Sequence, residues 1–343
     1  MKLGSLYLKN NLVLSPLLNI TTPVYRRFCR HFSEIGLVCA PMLYAKKLQT
    51  DSTSAKLDLH KIEQESPISV QLIGNDEKAI MESIRILESY EFNVLDFNAG
   101  CPSRRAILGK YGGYLLKDLD RLKRLVHMMI KHSSRPVSLK IRTGFEEEVN
   151  IKEFAKFVNN SNVEFVTIHA RTVKDRFDES ALNLEFVKKL KNNLNIPVVG
   201  NGDVFTPEAA KYFLNKTGVD ALMVGRGSMG NPRIFHQINE YLVRNKKISL
   251  ENNKNVMKHH LEIYEKILDE YLQDLNLPRS KQDYRFVELK RNAIWLTKNL
   301  ENSTILRRRL SKTRNLEQLK QCLIKFIDIN SDLNNEIKVR NNS

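Results

Sequence analysis

Up to about residue 236, short apolar runs rich in β-branched side chains alternate with segments whose apolar positions recur every three or four residues. The runs at 11–18, 37–43, 68–74, 93–99, 137–143, 164–170, 197–201 and 220–225 predict eight strands. Between them, segments such as 77–90, which opens Glu77-Lys78-Ala79-Ile80-Met81, carry the spacing of amphipathic helices. Strand–helix alternation of this kind predicts a parallel sheet with right-handed crossovers. Eight such units in roughly 235 residues match the length of a (β/α)8 TIM-type barrel. An open doubly wound sheet is the alternative, although no glycine-rich dinucleotide fingerprint opens the first helix. After Asn231-Pro232 the alternation stops, and only helix-like runs follow at 250–274, 282–300, 303–311 and 315–328. The pattern therefore predicts an α/β barrel domain over 1–240 and a smaller all-helical domain over 241–343.

Charge adds a partner to this picture. The 343 residues hold 55 Lys and Arg against 39 Asp and Glu, a net of +16, with 42% hydrophobic residues. This excludes an acidic disordered chain and a low-complexity one, and points to a globular protein with an anionic partner. Half of the excess charge falls in 241–343, under a third of the chain. There the run Leu306-Arg307-Arg308-Arg309-Leu310-Ser311-Lys312-Thr313-Arg314 reads either as a contact with a phosphate backbone or as a solvated helix face. No stretch reaches the ~18 apolar residues of a membrane span, and the short N-terminal apolar run breaks at Lys9-Asn10-Asn11, so a cytoplasmic protein without membrane contact is expected. Cys29, Cys39, Cys101 and Cys322 are far apart and histidines are not clustered, so reduced thiols and no metal site are expected.

In a barrel, chemistry sits where the strands end. The fourth run ends Asp96-Phe97-Asn98-Ala99-Gly100-Cys101-Pro102, the fifth carries Lys140 and Arg142-Thr143-Gly144, and the sixth ends His169-Ala170-Arg171-Thr172. The last two end Asn201-Gly202-Asp203 and Gly225-Arg226-Gly227. Cys101 reads as a general acid, since an ordinary thiol is mostly protonated at neutral pH, or as a small buried hydrophobe. Lys140, inside a parallel strand, needs either an anionic ligand or a core ion pair with Asp96 on the neighbouring strand. His169 is a ligand contact or a satisfied core histidine. The Gly225–Gly230 turn and Asn201-Gly202-Asp203 suit a phosphate held by backbone N–H groups and an arginine, and also suit ordinary turns.

Taken in order, these segments resemble the tRNA-dihydrouridine synthase family from about residue 10 to 300. The resemblance rests on Asp96-Phe97-Asn98-Ala99-Gly100-Cys101-Pro102, Gly112-Gly113-Tyr114-Leu115-Leu116 and Val137-Ser138-Leu139-Lys140-Ile141-Arg142-Thr143-Gly144-Phe145. It continues through Thr167-Ile168-His169-Ala170-Arg171-Thr172, Val199-Gly200-Asn201-Gly202-Asp203-Val204 and Met223-Val224-Gly225-Arg226-Gly227. Two segments depart from the family pattern. Where the family reads Ala-Pro-Met-Ala-Gly-Val-Thr-Asp, this chain reads Ser15-Pro16-Leu17-Leu18-Asn19-Ile20-Thr21-Thr22, without the glycine and the acid. The family's basic helix ending in Trp-Tyr is matched only loosely by Val287-Glu288-Leu289-Lys290-Arg291-Asn292-Ala293-Ile294-Trp295.

The resemblance implies a barrel binding FMN, a helical domain that grips tRNA, and reduction of a uracil C5=C6 bond with NADPH as electron source. It implies no stable protein partner. Carried over residue by residue, Cys101 is the proton donor to C5, opposite a flavin hydride delivered to C6. Gln71, Lys140 and His169 contact the flavin ring, and Pro16, Leu17 and Leu18 lie along its edge. Asn201, Gly202, Asp203, Gly225 and Arg226 hold its ribityl and phosphate end, while Asn98 and Arg171 orient the substrate nucleotide. Two other readings compete: a related FMN barrel acting on a free pyrimidine or another small molecule, and a non-catalytic RNA-binding protein that keeps the fold.

Overall fold

The computed structural model describes residues 1–50, 57–249, 253–274, 281–298, 300–301 and 303–327; positions 250–252, 299 and 328 of the predicted helical runs lie outside them. Eight strands form one closed parallel sheet: β1 (Leu12–Leu14), β2 (Leu37–Cys39), β3 (Ile68–Ile73), β4 (Val94–Ala99), β5 (Val137–Arg142), β6 (Val163–His169), β7 (Val198–Asn201) and β8 (Ala221–Val224). Each pairs in parallel with the next, and β8 returns to β1 with Met223 opposite Val13, which closes the ring. The eight predicted runs thus build a barrel, and the closing β8–β1 pairing excludes the open doubly wound sheet.

Local chemistry starts the crossover helices where the pattern predicts them. Helix Pro23–Phe32 opens with a proline, and Thr22 caps it by accepting from the Tyr25 N–H. Asp76, Asn150, Asn183 and Thr206 cap Glu77–Leu87, Ile151–Asn159, Leu184–Asn193 and Pro207–Thr217 in the same way. Each capped helix buries an apolar stripe, such as Ala79, Ile80, Ile84 and Leu87 in the first of these.

The barrel interior is layered by polarity. At its lower end Val13, Leu37, Val94, Phe165, Val199 and Ala221 pack with Leu3, from an N-terminal hairpin of Lys2–Leu3 and Leu6–Tyr7, and with Leu8, which follows it. Toward the other end the alternate residues Gln71, Asp96, Asn98, Ser138 and Lys140 are polar. Asp96 accepts from Gln71 Nε2 and from Ser138 Oγ, both at 2.6 Å. Buried polar groups that satisfy one another in this way cost little and fix the positions of their neighbours.

The chain folds into two compact units, one of Met1–Ser228 with Pro232–Ile248, the other of Met229–Asn231 with the described residues from Ser249 onward. The second unit is helical, with Lys254–Asp274, Lys281–Leu296, Ser303–Lys312 and 316–327. Leu268, Leu289, Leu306, Leu310 and Leu319 are buried within it, and the Tyr264 hydroxyl donates to buried Glu288 at 2.6 Å. In the basic run, Leu306 and Leu310 are buried while Arg308, Arg309, Lys312 and Arg314 are exposed. Among the described residues no helix is long and apolar enough to cross a membrane.

Candidate active site

The carboxyl ends of the eight strands surround a cavity of about 240 Å³. Pro16, Leu17, Leu18, Asn98, Cys101, Lys140, His169, Asn201, Gly202, Asp203, Gly225 and Arg226 all line it. These residues come from strand ends and turns dispersed over more than 200 positions of sequence, and barrel closure is what brings them together.

Cys101 is held by its backbone. Asn98 Oδ1 accepts from the N–H groups of Gly100 at 3.1 Å and Cys101 at 2.9 Å, and the Cys101 carbonyl accepts from the Gly113 N–H at 3.1 Å. Gly112, at φ +61°, sits so close that a Cβ there would lie 3.0 Å from Cys101 Cβ. Asn98 in turn donates through Nδ2 to Gln71 Oε1 at 2.8 Å. Gln71 is fully buried, spends its amide on Asn98 and Asp96, and does not line the cavity. It stands behind the wall as support for Asn98.

Lys140 donates to Asn201 Oδ1 at 3.3 Å, and Asn201 Nδ2 is anchored on the Met223 carbonyl at 2.9 Å. The core ion pair with Asp96 does not form; both Asp96 oxygens serve Gln71 and Ser138. Burial, helped by the nearby Arg142 charge, pulls the Lys140 ammonium down to about 8, against smaller opposing effects of Asp96, Cys39 and Cys101. An ammonium so placed gains from an anionic ligand.

The side of the cavity formed by the ends of β6, β7 and β8 is cationic. Arg171 is fully buried, does not line the cavity, and holds Asp203 Oδ2 behind the wall; Arg226 holds Asp203 Oδ1 at 2.7 Å. Two arginines on one carboxylate leave a net positive charge. Arg171 also faces His169 Nε2 at 3.4 Å. A guanidinium only donates, so Nε2 accepts and Nδ1 carries the imidazole proton. Burial, followed by the charges of Arg142, Lys140, Arg171 and Arg226, holds the His169 pKa far below its ordinary value, so the ring is neutral at physiological pH.

The backbone N–H groups of Asp203, Gly225 and Arg226 have no acceptor in the described protein. Gly227 lets the β8 turn lie against the β7 turn: a Cβ there would sit 2.0 Å from the Val204 carbonyl oxygen. This turn is anchored from outside the barrel. Ser228 Oγ donates to the Gly225 carbonyl at 2.8 Å and lies 3.1 Å from the buried Tyr25 hydroxyl. Tyr25→Phe is expected to lower stability by about 1 kcal/mol, the usual net worth of a buried hydrogen bond, and to loosen any anion held by the turn. A melting curve together with a phosphate titration checks both.

Several other residues line or support the cavity. Arg142, 2% exposed, donates to the carbonyls of Gly100 at 3.0 Å, Thr172 at 2.8 Å and Arg176 at 2.7 Å, tying the loops after β4 and β6. Its position beside Thr143-Gly144 at a strand end was the available signal. Met42, Phe177 and Phe205 also line the cavity. The Arg226 guanidinium lies 4.6 Å from the Phe177 ring centroid and 5.4 Å from that of Phe205. Nothing in the periodicity of their loops marks these aromatics.

A sequence model described as dihydrouridine synthase matches residues 13–331. Among curated proteins, tRNA-dihydrouridine synthase B of Pasteurella multocida is 34% identical over 267 residues, covering 76% of this chain and 80% of that protein. A probable tRNA-dihydrouridine synthase of Rickettsia bellii is 28% identical over 328 residues, covering 95% and 97%. Tertiary likeness reaches further: morphinone reductase superposes with a TM-score of 0.54 at 10% identity over 74% of this chain and 90% of that one. At that identity the likeness speaks for the barrel fold alone.

Proposed function

Since the chain belongs to the dihydrouridine synthase family, we propose that it reduces the C5=C6 bond of specific uridines in tRNA, using FMN and electrons from NADPH. The observation that carries this reading is that the Cys101 thiol, the Lys140 ammonium and the cationic Asp203–Arg226 end line one cavity.

The residues present fit the cofactor. Lys140, with Asn201 as its protein partner, suits the electron-rich edge of a flavin ring, and neutral His169 offers it an Nδ1–H. The unsatisfied N–H groups of Asp203, Gly225 and Arg226, together with the Arg226 guanidinium, suit a phosphate. Asp203 serves there through its N–H and by aiming Arg226, since both carboxylate oxygens are already neutralised. Pro16, Leu17 and Leu18 supply an apolar border, and Gln71 contributes through Asn98 and Asp96. When bound, reduced FMN supplies the hydride for uracil C6. The protein's own part is to deliver the matching proton: the Cys101 S–H bond breaks as a C5–H bond forms, on a nucleotide oriented by Asn98 and by the Arg171-supported wall. A uridine must leave its stack to reach this recess, which calls for charge along the RNA backbone. The basic helical unit, with Arg308, Arg309, Lys312 and Arg314 exposed, supplies it.

The test is mass-spectrometric counting of dihydrouridine in tRNA from cells lacking the gene, after incubation with protein, FMN and NADPH. New dihydrouridine supports the reading. Protein that carries flavin and is reduced by NADPH yet forms none in that tRNA favours the small-molecule alternative. Salt discriminates further: a protein that neutralises a handful of phosphates loses at least ~10-fold in affinity between about 50 and 200 mM salt. Dihydrouridine formation at limiting tRNA is expected to fall accordingly, while bound flavin stays constant. A flat salt profile would count against tRNA as substrate.

A further inference from the structure

The donor role assigned to Cys101 leaves a thiolate after each turnover, and the next turnover needs that sulfur protonated again. One side chain is in contact to do it. Ser103 Oγ lies 3.4 Å from Cys101 Sγ, oriented to accept the thiol proton, and accepts a second hydrogen bond from the Ala106 N–H at 3.2 Å. A hydroxyl has two acceptor sites and one proton, so both lone pairs are engaged inward and the O–H is left to point elsewhere. Cys101 lines the cavity whereas Ser103 does not, and Ser103 is partly exposed. The pair therefore bridges the cavity wall. Both ends are fixed: Cys101 by Asn98 Oδ1 and the Gly113 N–H, Ser103 as the N-cap of the short helix Arg104–Leu108.

The charged groups near the thiol have other roles in this reading. Lys140 donates to Asn201, and Arg142 is spent on three carbonyls. The Tyr44 ring lies under the Arg105 guanidinium at 4.4 Å. Ser103, partly exposed and outside the cavity lining, offers the sulfur a route to solvent that does not pass through the cavity.

We propose that Ser103 is the proton relay that reloads Cys101 from solvent. As the Sγ–H bond re-forms, the Ser103 Oγ–H bond breaks, and Oγ takes a proton from water, so one solvent proton is consumed per dihydrouridine and Ser103 is unchanged. The relay rests on the tRNA reading above, and its tests separate the two.

Three variants divide the roles of this side chain. Ser103→Thr keeps both cap and hydroxyl, Ser103→Asn keeps a cap without the hydroxyl, and Ser103→Ala loses both. NADPH-reduced enzyme is mixed with unmodified tRNA in the presence of excess NADPH and dihydrouridine is counted over time. In Ser103→Asn the first turnover is expected within about twofold of wild type, because no reloading step precedes it, followed by a steady rate about tenfold lower. The trace then shows a burst of one product per enzyme that Ser103→Thr lacks, and added imidazole, a small proton donor, speeds the slow phase. A Ser103→Asn steady rate equal to wild type, or an equally slowed first turnover, would overturn the relay. A second readout needs no activity: alkylation of Cys101 by iodoacetamide, followed on its own peptide in flavin-free protein. Slowing of about threefold in Ser103→Ala but not in Ser103→Thr supports the contact, and no change refutes it. Wild type that makes no dihydrouridine yet shows this alkylation pattern would instead sink the tRNA reading.

Discussion

Cys101→Ala is expected to lower dihydrouridine formation by about 10²- to 10⁴-fold, the range removed with a well-placed general acid. The effect should be chemical rather than structural. The loop is held by backbone bonds, from Gly100 and Cys101 to Asn98 and from Gly113 to Cys101, none of which uses the sulfur. The Cys101 side chain is partly exposed, so its loss opens no sealed cavity. Bound flavin, its reduction by NADPH and tRNA affinity should therefore match wild type while product disappears. Cys29 and Cys39 offer no substitute: both are buried, and desolvation raises their thiols, Cys29 to about 12. The readout is dihydrouridine counted by mass spectrometry in single turnover, with flavin absorbance recorded on the same samples. A mutant that still forms product at the wild-type rate would remove Cys101 from the mechanism. One that has lost flavin would show a structural role for the loop instead.

How much of this was legible in the sequence depends on which layer of the barrel a residue occupies. The strands were legible because their outward residues are continuously apolar and their ends carry glycine and polar turns. The inward polar layer was present in the same strands, at Gln71, Asp96, Asn98, Ser138 and Lys140, but a strand pattern does not say which polar side chain satisfies which. So Asp96 could be paired on paper with Lys140, when Gln71 and Ser138 take both its oxygens. For the same reason Gln71 and Arg171 read as ligand contacts, yet stand one layer behind the cavity, gripping Asn98 and Asp203.

The departures from the family pattern in the first strand-to-helix turn become intelligible only in three dimensions. Asn19 adopts φ +59°, the left-handed conformation that a glycine would take most easily and that asparagine also tolerates. Thr22 supplies the helix-capping oxygen that an aspartate would supply. Asparagine and threonine thus suit the conformation and the cap of this turn, and Pro16, Leu17 and Leu18 reach the cavity. Phe177 and Phe205 lie in connecting loops, where no periodicity exists to mark them, and their value comes from contact with Arg226, a residue distant in sequence.

Lys140→Met should move stability and cofactor binding in opposite directions. In the protein without ligand, burial pulls the ammonium down to about 8 from an ordinary 10.5. Folding then releases a proton from Lys140 between those pH values. The associated cost is fully present below pH 8, shrinks as pH rises and is gone above about 10.5. Methionine of similar length removes it, so the flavin-free variant is expected to be more stable than wild type at neutral pH, on the order of 1–2 kcal/mol after allowance for the ammonium's partial exposure. Flavin affinity should fall instead, because the electron-rich edge of the ring loses its cationic partner. The pH dependence is the sharper test. Below pH 8 the ammonium is already charged and affinity is flat. Above it, an anionic ligand must recruit a proton to Lys140 on binding, so affinity declines toward a limit of tenfold per pH unit. Flavin titrations between pH 6.5 and 9.5 on wild type and Lys140→Met would show the bend in one and not in the other. A wild-type profile without a bend, or a variant that keeps both flavin affinity and reduction by NADPH, would take Lys140 out of the flavin site. In that case its only role would be the one its hydrogen bond already describes, holding Asn201 against the end of β8.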